Sequence, residues 1–308
     1  MKILLLCVQP YSLISNGMIN SLSTIYAYFF NKWLSRIPGC QVDFASCWIQ
    51  ANGIEKLETY DFCIHLVNRG VGTMRPAAYL ELRKKVKHQI ITLCASSKFT
   101  DKEDLLLFIM GKKKPKTKRL FWGADFDLLK PLKPETITIL VDHKYYGKKG
   151  SIIAQMDMTE KILQSLLAYK ANNNIVIKHI GKGRVNEIND GYTVDNFTQG
   201  SAMDFRKIYE YYNEAHIYVV THPECFGLST VECGSAGALV VQPSGYIKKE
   251  IISNLHHYNI TDMANINWDD IISKINITKS IECAKTFSYE KNINHLYGYM
   301  NKIYTKAS

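Results

Sequence analysis

The sequence predicts an α/β protein of two doubly wound domains, each a parallel sheet covered by helices on both faces. Short apolar runs alternate with longer stretches of helical periodicity, which is typical of parallel strands joined by crossover helices. This alternation occurs twice, interrupted by a connector over residues 120–131. With 308 residues, 46% of them hydrophobic and 21% charged, the chain is long enough for each domain to bury its own core.

The first series covers residues 1–130 and opens on the apolar run 1–8. We interpret this run as a buried strand rather than a signal peptide, because it stops at Gln9 and Pro10 and lacks a small-residue cleavage site. No stretch reaches the roughly 20 apolar residues of a membrane helix, so we expect a cytoplasmic protein. The other elements predicted here are strands near 41–46, 61–67 and 89–94 and helices near 18–36 and 77–87.

The second series covers residues 131–285. Its predicted strands are 136–142, 174–180, 216–220 and 238–242, residues 192–197 are predicted as a strand or a turn, and its predicted helices are 151–171, 203–213 and 228–237. A tyrosine-rich helix near 284–305 makes residues 286–308 a separate segment that can pack back on the first domain. Ligands of such sheets bind beyond the carboxyl ends of the strands, so we expect a site in a cleft between the domains.

Charge and cysteine content favour some partners over others. The net charge is +10, and six of the positive charges fall within residues 112–119. Such a run is usually a solvated loop, but it also suits nucleic acid, an anionic membrane surface or a polyanionic acceptor. None of the eight cysteines forms a C-x-x-C pair or has zinc-ligand spacing, so we expect buried thiols and no metal site.

The most informative segment follows the apolar strand 217–220. A loop containing Pro223 and Gly227 leads into a helix, whose free amides and dipole suit an anion such as a diphosphate. Two carboxylates, Glu224 and Glu232, lie on either side of this turn. Carboxylates accept hydrogen bonds from the vicinal hydroxyls of sugars and riboses, so the pattern indicates a nucleotide-sugar site.

The spacing of Glu224 and Glu232 resembles the glutamate-x7-glutamate motif of retaining GT-B glycosyltransferases, the "glycosyl transferases group 1" family. The resemblance implies a GT-B-like fold with two Rossmann-like domains facing a cleft. It also implies a nucleoside-diphosphate sugar as donor substrate, with no cofactor and no obligatory metal. Glu224 would contact the donor sugar and Glu232 the ribose hydroxyls. The turn between them, expected to hold the donor, consists of Phe226, Gly227, Leu228 and Ser229.

Upstream segments match the same family in order. Lys144 falls on the position of a diphosphate-binding arginine and Lys149 on that of a diphosphate-binding lysine. Gly181 and Gly183 form a Gly-x-Gly turn after a strand, which in the family lies beside the nucleotide base. The chain departs from the family pattern at His216, where an aspartate is usual.

The N-terminal series offers two further candidates. Gly17 stands at the head of a predicted helix and is expected near the phosphate or the acceptor. His65 resembles the histidine of the family's Asp-x-x-His strand, offset by one residue, and is expected to point into the cleft as a catalytic group. A histidine within an apolar strand can equally be a satisfied core residue.

Several functions fit these patterns. The first is a glycosyltransferase with a glycan acceptor, and residues 112–119 make a DNA-modifying glucosyltransferase or a lipid-linked acceptor at an anionic bilayer alternatives. A nucleotide-sugar epimerase or hydrolase would use the same donor site without an acceptor. A non-catalytic basic nucleic-acid-binding protein is the alternative from another class. The sequence does not select the sugar, the base, the acceptor or the oligomeric state.

Overall fold

A computed structural model describes residues 1–7, 18–19, 22–46, 57–66, 76–93, 105–108, 117–119, 123–144, 151–182, 191–193, 203–223 and 227–307. The chain divides into two compact units. The first unit consists of residues 1–122, 202–204 and 289–308, and the second of residues 123–201 and 205–288. Each unit contains a parallel sheet.

The strands of the first unit begin with β1 (Lys2–Cys7), β2 (Met18–Ile19), β3 (Gln41–Ser46), β4 (Tyr60–Leu66), β5 (Val86–Leu93), β6 (Leu105–Phe108) and β7 (Thr117–Arg119). In the described residues its parallel sheet has the order β3-β1-β4-β5-β6-β7. Helices α1 (Leu22–Leu34) and α2 (Pro76–Lys85) lie between these strands in the chain.

The strands of the second unit are β8 (Ile137–Lys144), β9 (Ile175–Lys182), β10 (Gly191–Thr193), β12 (Ile217–Val220), β13 (Leu239–Pro243) and β14 (His257–Ile260). Between them in the chain, β11 (Met203–Asp204) pairs antiparallel with β2. The helices that follow in chain order are α3 (Ser151–Lys170), α4 (Phe205–Glu214), α5 (Leu228–Ser235), α6 (Lys249–Ile252), α7 (Trp268–Ser273), α8 (Ile277–Ala284) and α9 (Tyr289–Ala307). The described sheet has the order β10-β9-β8-β12-β13-β14.

The core of the first unit lies on both faces of its sheet. Cys63 of β4 and Ile90 of β5 are register partners and pack with Leu82 of α2 on one face. Elsewhere in this unit the ring of Phe29 in α1 stacks on the ring of Tyr289 in α9, with centroids 4.4 Å apart. The C-terminal helix therefore completes the core of the first unit.

The core of the second unit is aliphatic, as expected for strands buried on both faces. Val141 of β8, Val219 of β12 and Val241 of β13 pack in one cluster with Leu166 of α3. Helix α5 lies so close to its neighbours that a Cβ on Gly234 would stand 3.0 Å from a methyl carbon of Leu255. This tight packing fixes the position of α5 against the sheet.

Two local expectations were wrong. The helix predicted from residue 18 begins at Leu22, because Met18 and Ile19 form β2 instead. The basic run 112–119, expected as a loop, ends in a strand, since Thr117–Arg119 pair with β6. In both cases long-range strand pairing decided the local conformation, which residue pattern does not report.

Candidate functional site

The topology of the second unit points to the edge of its sheet that is formed by the carboxyl ends of the strands. Strand β8 comes first in this sheet and pairs with β9 on one side and β12 on the other. The strands that follow β8 in the chain are added first on one side of it, β9 and then β10, and afterwards on the other side, from β12 to β14, so the strand order reverses between β8 and β12. In open parallel sheets, ligands bind beyond the carboxyl ends of the strands at this reversal.

The turn from β12 into α5 lies at this edge. Gly227 precedes the helix with φ 68° and ψ 63°, a left-handed conformation that glycine adopts without steric cost. Leu228 and Ser229 follow in the first helical turn and are partly exposed, and this turn contains no acidic residue. The first amides of a helix lack intrahelical partners and carry the positive end of its dipole. These three predicted residues thus form a turn suited to an anion.

The chain leading to this turn is anchored by buried hydrogen bonds. The Tyr218 hydroxyl donates to Asp142 Oδ2 at 2.6 Å, and the Thr221 hydroxyl donates to the Asp142 carbonyl oxygen, also at 2.6 Å. The Thr159 hydroxyl in α3 donates to the Thr221 carbonyl oxygen at 3.2 Å. Together they tie the ends of β8 and β12 to α3, so the loop carrying Glu224 leaves from a fixed point.

Sequence reasoning missed this anchor, although Asp142 follows the apolar run 139–141 directly. A carboxylate at the end of a buried strand is a signal for such a role. Burial raises the pKa of Tyr218, and the nearby Asp142 carboxylate raises it further, so the phenol stays protonated and can donate. The sequence pattern did not show that Tyr218 is the hydrogen-bond partner of Asp142, because the two residues belong to different strands.

Glu232 lies one turn inside α5 and is 5% exposed. Its Oε1 atom accepts a hydrogen bond of 2.7 Å from the Tyr209 hydroxyl in α4. Burial raises the pKa of Glu232 to about 8, and the Tyr209 hydrogen bond acts in the opposite direction. At neutral pH the carboxyl is therefore largely protonated, and a hydroxyl-bearing ligand that favours the carboxylate would release a proton on binding.

Two other predicted residues belong to the same edge. Lys144 is the last residue of β8, and Gly181 of β9 is the register partner of His143. Because β9, β8 and β12 are parallel neighbours, the backbones of Lys144 and Gly181 lie at the edge from which α5 starts. The remaining predictions in and around this site, which lie outside the described residues, are Glu224, Phe226, Lys149, Gly183 and Gly17.

His65 belongs to the first unit, near the carboxyl end of β4. Its register partners are Leu6 in β1 and Thr92 in β5, and the residue is 4% exposed. Within the described residues its Nε2 atom has no hydrogen-bond partner. Burial lowers the pKa of His65 to about 4, so the imidazole is neutral at physiological pH. A buried polar atom without a partner is uncommon and suits a ligand-facing position.

Comparison with known proteins identifies the fold. No protein-family model matches the sequence, and no curated protein matches it. Sucrose-phosphate synthase from Thermosynechococcus elongatus is 13% identical, with a TM-score of 0.56 over 100% of both chains. HepE from Anabaena, in complex with UDP, is 12% identical, with a TM-score of 0.54 over 98% of this chain and 100% of that one. A glycosyltransferase involved in avilamycin A biosynthesis is 9% identical, with a TM-score of 0.53 over 98% of each.

The chain has the GT-B fold. The fold class predicted from the sequence, two doubly wound parallel-sheet domains, is thereby confirmed. At these identities the similarity to solved structures establishes the fold alone.

Within this GT-B fold, the departure at His216 has a structural account. The Nδ1 atom of His216 accepts a hydrogen bond of 3.1 Å from the backbone amide of Thr138. Burial lowers the pKa of His216, as does the positive charge of Lys133, which keeps the ring neutral. The imidazole therefore supplies an acceptor at the amino end of β12, as a carboxylate could. This position lies at the other end of the strand from the Gly227 turn.

The described part of this GT-B chain has neither a cluster of metal-ligating side chains nor a membrane-spanning helix. No group of three or more His, Cys, Asp or Glu side chains there could hold a metal ion. None of its helices combines the length and the hydropathy needed to cross a bilayer.

Proposed function

We propose that this protein is a glycosyltransferase that moves a sugar from a nucleoside-diphosphate sugar to an acceptor hydroxyl, with retention of configuration and without a metal ion or cofactor. One observation carries the proposal: α5 begins at the carboxyl end of β12, directly after left-handed Gly227, and places Glu232 one turn inside it. The GT-B fold supports it, since solved structures with this fold include a glycosyltransferase and a UDP complex.

In this proposal the first turn of α5 binds the diphosphate of the donor. The amides of Leu228 and Ser229 and the helix dipole favour the negative charge, and Gly227 presents no Cβ to the ligand. Lys144, from the end of β8, and Lys149 add positive charge to the leaving group. As the bond from the anomeric carbon to the diphosphate breaks, its electrons remain on the diphosphate, which these groups stabilise. The acceptor oxygen then bonds to the anomeric carbon, and the proton of the acceptor hydroxyl passes to an oxygen of the departing diphosphate.

The two carboxylates receive hydroxyl groups in this scheme. Glu232 accepts hydrogen bonds from the ribose, and Glu224 accepts them from the donor sugar. We assign Gly181, Gly183 and Phe226 to the nucleotide and sugar surroundings. From the first unit, we assign Gly17 a position near the phosphate or the acceptor, and we assign His65 a catalytic role.

Donor binding is the first test. We expect one or more nucleotide sugars, or UDP or GDP, to raise the melting temperature, because a ligand at 100 times its Kd stabilises the folded state by about 2.7 kcal/mol. Glu232→Ala should remove this shift and the transfer activity, whereas Glu250→Ala, at an exposed glutamate of α6, should leave both unchanged. Glu232→Gln keeps the side-chain shape and separates loss of ligand from loss of folding. Full transferase activity in Glu232→Ala, or no binding of any nucleotide, would refute the proposal.

The acceptor is proposed to be a glycan, and one observation favours a second candidate. The terminal described strand of the first sheet, β7, carries the end of the basic run in Lys118 and Arg119. A run of basic residues suits the phosphates of a DNA backbone, so a DNA-modifying glucosyltransferase is the alternative. Duplex binding that weakens steeply between 50 and 200 mM salt would favour DNA, since phosphate contacts release counterions. Donor conversion without any acceptor would instead indicate an epimerase or hydrolase.

A further inference from the structure

A buried hydrogen bond joins two neighbouring helices at the candidate site. The Tyr209 hydroxyl in α4 donates to Glu232 Oε1 in α5 at 2.7 Å, and each residue is 5% exposed. The family resemblance assigned Glu232 to the ribose and assigned no role to Tyr209. A glutamate side chain has three rotatable bonds, so a partner is needed to hold its carboxyl group in one place.

Tyr209 is itself held by aromatic packing. Its ring lies 5.9 Å from the ring of Tyr212, which lies 6.4 Å from the ring of Tyr218 in an edge-to-face arrangement. Tyr218 in turn donates to Asp142 at the end of β8. A row of buried tyrosines thus connects Glu232 to the end of β8, the strand next to β12. Such packing fixes the direction from which the Tyr209 hydroxyl approaches the carboxyl.

We propose that Tyr209 is a positioning residue, which binds Oε1 of Glu232 and leaves the other carboxyl oxygen to accept the ribose hydroxyls of the donor. This inference rests on the proposed donor site. It assigns Tyr209 no contact with the nucleotide, because its hydroxyl acts through Glu232. The ribose is then recognised by a carboxyl group whose rotamer is set before the ligand arrives, which lowers the entropy lost on binding.

The hydrogen bond also changes the charge of the carboxyl. Burial raises the pKa of Glu232, while donation from Tyr209 lowers it and so favours the carboxylate that accepts hydroxyl donors. Burial raises the pKa of Tyr212 in α4 and of Cys233 in α5, so both neighbours are uncharged near neutral pH.

Charged and titratable groups also occur on the other elements around α5. Asp142 of β8 and Lys133, which precedes β8 in the chain, both interact electrostatically with Cys233, next to Glu232 in the chain. Helix α8 packs against α5 and carries Lys279, Glu282 and Cys283. None of these groups changes in Tyr209→Phe, so that variant isolates the effect of one hydroxyl.

The test compares the affinities of UDP and 2′,3′-dideoxyuridine diphosphate by calorimetry. We expect Tyr209→Phe to weaken UDP binding about tenfold, the size of one buried hydrogen bond, and to leave dideoxy-UDP binding unchanged. The pH midpoint of UDP binding should move upward in this variant. In a Glu232→Ala background, which has no side-chain acceptor for the Tyr209 hydroxyl, the same change should have no further effect. The matched control is Tyr258→Phe, which should bind both ligands normally. It removes a hydroxyl that donates to Asp270 of α7 at 2.9 Å.

Each alternative outcome is distinguishable. If wild-type protein binds no nucleotide, the proposed function fails, and this inference with it. If UDP binds and Glu232→Gln weakens it while Tyr209→Phe does not, or if Tyr209→Phe weakens both ligands equally, the positioning role is refuted and the function stands. Incorporation of 3-fluorotyrosine at position 209, which makes the hydroxyl a stronger donor, covers the case in which Tyr209→Phe does not fold. It should move the pH midpoint of UDP binding downward, and an unchanged midpoint would overturn the proposal.

Discussion

The buried carboxyl of Glu232 should make the stability of the protein fall as pH rises. In the unfolded chain this group loses its proton above about 4.5, whereas in the folded protein burial raises its pKa to about 8. Between these values the folded state holds one more proton than the unfolded state, so the free energy of unfolding decreases by about 1.4 kcal/mol per pH unit. The contribution is fully present below pH 4.5 and is lost as pH rises through 8.

Comparison with Glu232→Gln isolates this effect. The amide keeps an oxygen that can accept from Tyr209 but cannot ionise, so the variant should gain about 2.7 kcal/mol relative to wild type between pH 5 and pH 7. The measurement is urea unfolding at several pH values, followed by tryptophan fluorescence and circular dichroism. Glu250→Gln, at an exposed glutamate of the same unit, should show no such trend. A difference between wild type and Glu232→Gln that stays constant from pH 5 to pH 8 would refute the reasoning.

Three other perturbations follow from local geometry. Gly227→Ala should cost roughly 1–2 kcal/mol of stability, because its φ of 68° is unfavourable for a residue with a Cβ. Gly298→Ala, in a helix with nothing within 4 Å of the new Cβ, should instead gain roughly 0.5–1 kcal/mol. Thermal unfolding of both variants checks this, and equal effects would contradict it. Tyr218→Phe should lose about 1.5–3 kcal/mol in urea unfolding, because it leaves Asp142 without a 2.6 Å donor, and a neutral result would show that the bond is not needed. Deleting residues 289–308 should expose the first unit to proteolysis while the second stays protected, whereas deleting residues 306–308 should change neither.

The fold could be predicted from the sequence because its signals are local. Buried parallel strands appear as apolar runs of the right length, and runs such as 217–220 and 139–141 lie in β12 and β8 as expected. The turn at Gly227 was also predictable, since a glycine between a strand and a helix marks a backbone reversal. The short elements β6 and β7 were not found, because strands of four and three residues carry too little pattern.

The hydrogen bonds of the candidate site could not be predicted in this way. Tyr218 and Asp142 are 76 residues apart in the chain, and Tyr209 and Glu232 are 23 apart. Periodicity shows that a tyrosine faces a core, but which carboxyl its hydroxyl meets depends on the order of the strands and the packing of the helices. The residue pattern found the carboxylate of Glu232, and only the structure supplied its partner.

The first and last residues of the second unit lie next to each other in space. Ala124, just inside its first residue, forms a parallel bridge with Ser288, its last, and the Ala124 amide donates to the Phe287 carbonyl oxygen at 3.1 Å. A folded body whose two ends are hydrogen-bonded together resembles an inserted module. A short peptide joining those ends would close it into a circle, and new termini could then be opened at a surface turn such as Ser244–Gly245 without lengthening any connection.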